Sequence, residues 1–179
     1  MRIIAGQWRG RPIIAPKGDA TRPTADRTRE ALFSMLTSRL GSFEGLAVAD
    51  LFAGSGALGL EALSRGAGSC IFVEQDRAAI DALKANIAKL GTKADIRAQS
   101  VLALPPATQP LDLILMDPPY GTGAGMVALD RLNRLGWVSD ATWISIETAK
   151  TETVAVDGFE TDAERTHGKM KITLLRRSA

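Results

Sequence analysis

From residue 46 onward, short apolar runs alternate with segments of helical period, and that alternation is best satisfied by a parallel sheet with helices packed on it. AVADLF (47–52), CIFVEQ (70–75), ADIRAQS (94–100), LDLILMD (111–117) and TWISIE (142–147) read as strands. Residues 57–66, 76–91 and 124–134 read as helices between them. In the second of these, Ile80, Leu83, Ile87 and Leu90 recur at helical spacing and Gly91 supplies a C-terminal stop. LDLILMD is apolar nearly throughout, as a strand covered on both faces must be. The pattern predicts a doubly wound α/β sheet. An antiparallel hairpin, with 160–167 and 170–176 flanking Gly168-Lys169, would close it.

The N-terminal part differs. RIIAGQWRGRPIIA suggests a small hairpin or meander, PKGDATRP a connector, and the residues from Thr24 or Asp26 through Leu40 a helix. The division expected is a basic extension at 1–45 and a catalytic domain at 46–179. Residues 1–40 hold eight Lys and Arg against three acids, a net of +5, which leaves −3 for the rest. Such segregation fits a nucleic-acid footprint at one end of the molecule, although a solvated arginine-rich arm has the same composition. Trp8, between Gln7 and Arg9, could add a stacking surface.

With 179 residues, 45% of them apolar and 23% charged, the chain can bury one good core. Cys70 is alone, which excludes an intramolecular disulfide and a cysteine-rich metal site. No apolar run approaches the roughly 18 residues of a membrane span, and MRIIAGQWRG lacks the pattern of a signal peptide. The expectation is a cytoplasmic monomer with neither a membrane nor a metal as partner. His167, the only histidine, and Cys70 read as structural residues.

DLFAGSGALG (50–59) contains G-x-G-x-x-G at Gly54, Gly56 and Gly59, directly after one strand and opening a helix, and Glu74 ends the next strand. A dinucleotide fold has this layout, with the acid on a ribose. Asp50 argues for another ligand. A carboxylate at the loop would repel a pyrophosphate, whereas S-adenosylmethionine (SAM) carries an ammonium, a sulfonium and no phosphate. Glu74 would accept from ribose hydroxyls in either case.

LILMDPPYG ends a buried strand on a carboxylate, two prolines and a tyrosine. Methylating an exocyclic amino group of a base requires freeing a lone pair that is delocalised into the ring, and an acceptor on each N–H does that. Asp117 supplies one acceptor and a place for the departing proton. The Pro118 carbonyl supplies the second. The prolines fix φ near roughly −65° and remove backbone donors, so the acceptors are held stiffly. Tyr120 offers a face on which to stack an unpaired base.

These motifs, with RIIAGQWRGRPI and RPTADRTREALFSML near the N-terminus, resemble the bacterial 16S rRNA guanine-N2 methyltransferases that modify guanine-966. The likeness runs from Arg2 to about Leu175. DPPY alone is shared with adenine-N6 methyltransferases; R-P-T-x-D-R-x-R-E at 22–30 discriminates. The resemblance implies a Rossmann-like class I SAM-dependent methyltransferase sheet acting on 16S rRNA of the small ribosomal subunit. It implies that Asp50, Phe52, Gly54, Gly56 and Glu74 bind SAM, with Ser100 and Val101 beside the adenine. Asp117, Pro118 and Tyr120 would hold the guanine. Arg22, Thr24, Arg27 and Arg29 match the N-terminal motif, and the RNA-binding set expected is Arg9, Arg11, Arg22, Arg27 and Arg29. His167-Gly168 stands where such proteins often carry Tyr-Gly. An adenine-N6 methyltransferase, a non-catalytic RNA-binding assembly factor and a nicotinamide-dependent dehydrogenase are the alternatives.

Overall fold

The apolar strands do form one sheet. In the computed structural model, which describes residues 1–15 and 22–179 and only the backbone of 22–24, five strands pair in parallel. These are β1 (Ala47–Leu51), β2 (Ser69–Glu74), β3 (Asp95–Ala98), β4 (Leu113–Met116) and β5 (Trp143–Ala149). β6 (Phe159–His167) and β7 (Met170–Arg177) form the antiparallel hairpin, and β7 rather than β6 joins β5. The order across the sheet is β3-β2-β1-β4-β5-β7-β6. It reverses direction between β1 and β4, so the loops leaving those two strands open into one crevice. The glycine loop and the DPPY loop are those two loops.

Among the described residues four helices, α1 (Arg22–Leu40), α2 (Ala57–Ser64), α3 (Arg77–Leu90) and α4 (Ala124–Arg134), cover the faces. α3 shows why the sequence stops and starts where it does. The Asp76 carboxylate accepts from the Ala79 N–H at 2.9 Å, and Gly91 ends the helix at φ 66°. Alternation along each strand sends side chains to two cores. Val48, Phe72, Leu113 and Leu115 pack with α1, α2 and α3, while Ala49, Val73, Ile114 and Met116 pack with α4 and a 3-10 turn at Val101–Ala103.

The N-terminal extension shares the first of these cores. Ile3, Ile13, Leu32, Phe33, Leu36 and Phe43 are buried in one cluster with Leu60, Leu83 and Leu113, each side chain contributing about 1.5–3 kcal/mol. The hairpin expected there is a single antiparallel bridge, Arg2 with Pro12, supported by the Ile3 N–H donating to the Arg11 carbonyl at 3.0 Å. Most of the connector expected at PKGDATRP lies outside the described residues. Among the described residues no helix is long and apolar enough to cross a membrane.

Candidate active site

The glycine loop is held by a carboxylate at each end. Glu74 Oε1 accepts from the Gly54 N–H at 2.8 Å, and its Oε2 accepts from Gln75 and Asp76 N–H groups at 2.9 Å. A carboxylate has about four acceptor positions, so Glu74 keeps capacity for a ligand hydroxyl. Phe52 lies at φ 60°, uncommon for a bulky residue and of the kind of strain that gathers at sites. Gly56, at φ 87°, is required from behind: a Cβ there would stand 2.4 Å from Leu83 Cδ1.

Asp50 is not on the wall of the cleft. It is 1% exposed, and its Oδ2 accepts from the Gly59 N–H at 2.8 Å at the first turn of α2. Burial pushes its carboxyl up to about 8; the Gly59 hydrogen bond opposes this and the charge of Glu74 adds to it. The direct contact with a cationic ligand read from the sequence is therefore replaced by shaping of the loop from beneath. Gly56 likewise serves packing and does not face the cleft.

The DPPY loop starts one residue past β4 and is fastened at several points. Pro118 is buried, and a Cβ on Gly125 of α4 would approach its Cγ to 3.0 Å, so that glycine makes room for the proline. The Thr122 hydroxyl donates to the Pro119 carbonyl at 2.7 Å and accepts from the Ala124 N–H at 3.2 Å. Glu152 accepts from the Gly121 N–H at 3.0 Å and from the Ala149 N–H at 2.7 Å. Tyr120, 47% exposed, donates its hydroxyl to Glu147 at 2.9 Å. Burial, then the charge and hydrogen bond of Glu147, hold the phenol well above its usual range, and Asp117 and Glu152 add to this. Tyr120 is thus a protonated donor at any physiological pH.

Two cavities open on this rim. One, of about 690 Å³, lies between the glycine loop and the DPPY loop and is lined by Phe52, Gly54, Glu74, Gln75, Ser100, Val101, Leu102, Asp117 and Pro118 among others. The other, of about 450 Å³, is lined by Thr28 and Arg29 of α1, Asp117, Tyr120, Ser145 and Glu147 of β5, and Met170 and Ile172 of β7, with further apolar residues. Asp117 is the one described residue that lines both. Among the described residues the larger cavity is lined by two carboxylates, Glu74 and Asp117, and by neither lysine nor arginine. That charge suits a cationic sulfonium ligand and opposes a pyrophosphate, while Val73, Val101 and Leu102 give an aromatic ring apolar cover.

The N-terminal arginines divide. Arg9, Arg11 and Arg27 are exposed, and Arg11 donates to the Lys89 carbonyl at 2.7 Å. Arg22 begins α1, and its side chain lies outside the described residues. Arg29 departs from the expectation. It is 3% exposed and pairs with Glu61 at 3.4 Å and Asp26 at 3.1 Å while also donating to the Arg2 carbonyl, so it cannot offer a free charge to phosphate. Its partner Glu61 went unremarked in the sequence. Glu61 is 0% exposed, accepts from the Ile4 and Ala5 N–H groups at 2.8 and 3.0 Å, and also pairs with Arg65 at 2.9 Å. Asn86 completes the clamp, accepting from the Ile14 N–H at 2.7 Å and donating to the carbonyls of Ile14 and Ser55 at 3.0 Å. A lone glutamate inside the apolar ALGLEALS was the available signal. Trp8 is half-buried against the core.

Comparison with known proteins follows the same geometry. Residues 1–176 match the model of a family described as Conserved hypothetical protein 95. The chain is 39% identical over 150 residues to Ribosomal RNA small subunit methyltransferase D of Escherichia coli K12, covering 83% of this chain and 74% of that protein. The chain belongs to the ribosomal RNA small subunit methyltransferase D family. The solved structure of yhhF from Escherichia coli superposes on this family member with a TM-score of 0.85 at 32% identity, covering 100% of this chain and 98% of that one. The magnesium protoporphyrin IX methyltransferase of Synechocystis PCC 6803, solved with bound SAM, has a TM-score of 0.68 at 16% identity over 90% of this chain and 87% of its own. That likeness extends to the fold alone. The sheet of this methyltransferase D relative is thus the Rossmann-like class I arrangement expected of a SAM-dependent enzyme.

Proposed function

We propose that the chain methylates the N2 amino group of guanine-966 in 16S rRNA of the small ribosomal subunit, using SAM. One observation carries the reading: the larger cavity, suited to a cationic cofactor, meets the second cavity at Asp117. A reaction between two bound molecules needs such a shared wall.

Within it, Asp117 accepts from the amino group of the base and the Pro118 carbonyl accepts from its second N–H. The nitrogen lone pair is thereby released from the ring. Tyr120 stacks the base, held in place by its bond to Glu147. Glu74 and the backbone of the glycine loop hold the cofactor, with Phe52, Ser100 and Val101 along the same wall. SAM, when bound, supplies an electrophilic methyl group on a positively charged sulfur. As the new N–C bond forms, the methyl–sulfur bond would break to leave a neutral thioether, and the nitrogen gives up one proton to Asp117, which is exposed and returns it to water.

Because a paired base edge is inaccessible, the target base is unpaired or flipped into the second cavity. Arg9, Arg11 and Arg27 supply phosphate contacts on the exposed side of the extension, so affinity weakens with salt. An rRNA substrate places the chain in the cytoplasm. The chemistry asks only for hydrogen-bond acceptors and so needs no metal; the reading takes the chain as a monomer.

The test is transfer of labelled methyl from SAM to small subunits lacking the modification, followed by digestion to nucleosides. Label should appear in N2-methylguanosine with wild type and fall about 100- to 1,000-fold with Asp117→Ala, the loss expected when one preorganised transition-state partner is removed. Label in N6-methyladenosine would assign the same chemistry to adenine. Cofactor binding without transfer to any RNA would leave a binding factor.

A further inference from the structure

We propose that Glu147 selects guanine against other bases by accepting the N1–H of the target; this rests on the guanine-N2 reading above. No motif pointed to Glu147, and the sheet register is what brings it to the site. Met116 pairs with Ile146 in the parallel β4–β5 ladder, so the next residues, Asp117 and Glu147, stand side by side at the rim. Neighbouring strands are about 4.8 Å apart. Both carboxylates line the second cavity, together with Tyr120.

One carboxylate suffices for an amino group, so a second on the same wall can take a neighbouring donor of the base edge. The Watson–Crick edge of guanine presents N1–H directly beside the N2 amino group, whereas adenine has an unprotonated acceptor at N1. A carboxylate only accepts. Glu147 therefore attracts the guanine edge and opposes the N1 lone pair of adenine or of any purine unprotonated there. The Tyr120 hydroxyl, donated to Glu147 Oε1 at 2.9 Å, orients the carboxylate without exhausting its roughly four acceptor positions. One hydroxyl thus couples the stacking residue to the residue that reads the edge.

The discriminating substrate is 2-aminopurine, which keeps the amino group at position 2 but carries an acceptor at N1. Small subunits are reconstituted with 16S RNA bearing guanine, 2-aminopurine or adenine at the methylated position. Methyl transfer is then measured as kcat/KM for wild type and Glu147→Gln. Wild type should prefer guanine over 2-aminopurine by about 10- to 100-fold, the usual worth of a specific base contact. In Glu147→Gln, whose amide donates as well as accepts, that preference should shrink by about tenfold or more. The ratio is taken within one preparation, so partial unfolding cancels. An unchanged ratio, with both substrates falling together, would overturn the proposal and leave Glu147 as a prop for Tyr120. Methylation by wild type of the adenine substrate alone, recovered as N6-methyladenosine, would overturn the guanine reading and this proposal with it.

Discussion

The two cavities that meet at Asp117 are built in different ways. The larger one is assembled mainly from the segments that leave the C-terminal ends of β1, β2, β3 and β4, with the start of α4 beside them. The second draws on the N-terminus, α1, α2, the DPPY loop, β5 and β7, segments scattered from Met1 to Ile172. A site made at strand ends inherits its geometry from the sheet. A site made between distant elements depends on whatever locks those elements together, and here that lock is the buried pair Arg29 and Glu61, with the half-buried Asp26 beside it.

The largest effect should come from that lock. Arg29→Ala leaves Glu61 buried with only Arg65 as cationic partner and should cost about 3 kcal/mol of stability, read as a lower urea midpoint at unchanged slope. Methyl transfer should collapse with it. SAM affinity of the folded protein, measured by calorimetry, should stay within about twofold, because no described residue of α1 lines the larger cavity. A parallel fall in SAM affinity would break the comparison.

Asp50→Asn sharpens it from the other side, since Asp50 holds the first turn of α2 directly behind the glycine loop of the larger cavity. The folded carboxyl titrates near about 8 against 3.8 for the ordinary group, so the folded chain binds the extra proton between those values. The stabilising contribution is complete below 3.8 and is lost as pH rises through about 8. Across that window wild-type stability should fall by up to about 1.4 kcal/mol per pH unit. Asparagine still accepts from Gly59 but does not titrate. The stability of the variant relative to wild type should therefore rise between pH 5 and pH 8 in denaturant titrations, and a pH-independent difference would refute the buried-carboxyl account.

The smallest effect belongs to Tyr120→Phe. It removes one partly exposed hydrogen bond and keeps the ring, so kcat/KM should fall by about three- to tenfold while SAM affinity is unchanged. A loss as large as that of Asp117→Ala would mean that the hydroxyl takes part in the reaction itself.

The boundary between what could and could not be read follows the same division. The strands, the order of helices, the glycine loop and the DPPY loop were legible because each rests on near neighbours in the chain. Glu74 was found because it ends a strand at a set distance from the glycines, and it does line the cleft. Asp50 was placed at the right strand end but on the wrong side of the loop, since one turn of backbone decides whether a side chain meets ligand or the N–H of Gly59. Arg29 looked like any other basic residue of an exposed arm. Its pairing partner lies 32 residues away on another helix.

The sequence by itself determined a parallel sheet with a glycine-rich loop and the DPPY tetrad on one rim, because strand period and loop chemistry are local properties. Only the tertiary structure decided that Glu147 stands beside Asp117, that the N-terminal extension shares the main core, and that one of its arginines is an internal cation. Those outcomes depend on strand register and on which helix faces pack together. Both are set by the burial of apolar surface over the whole chain, not by the residues adjoining each site.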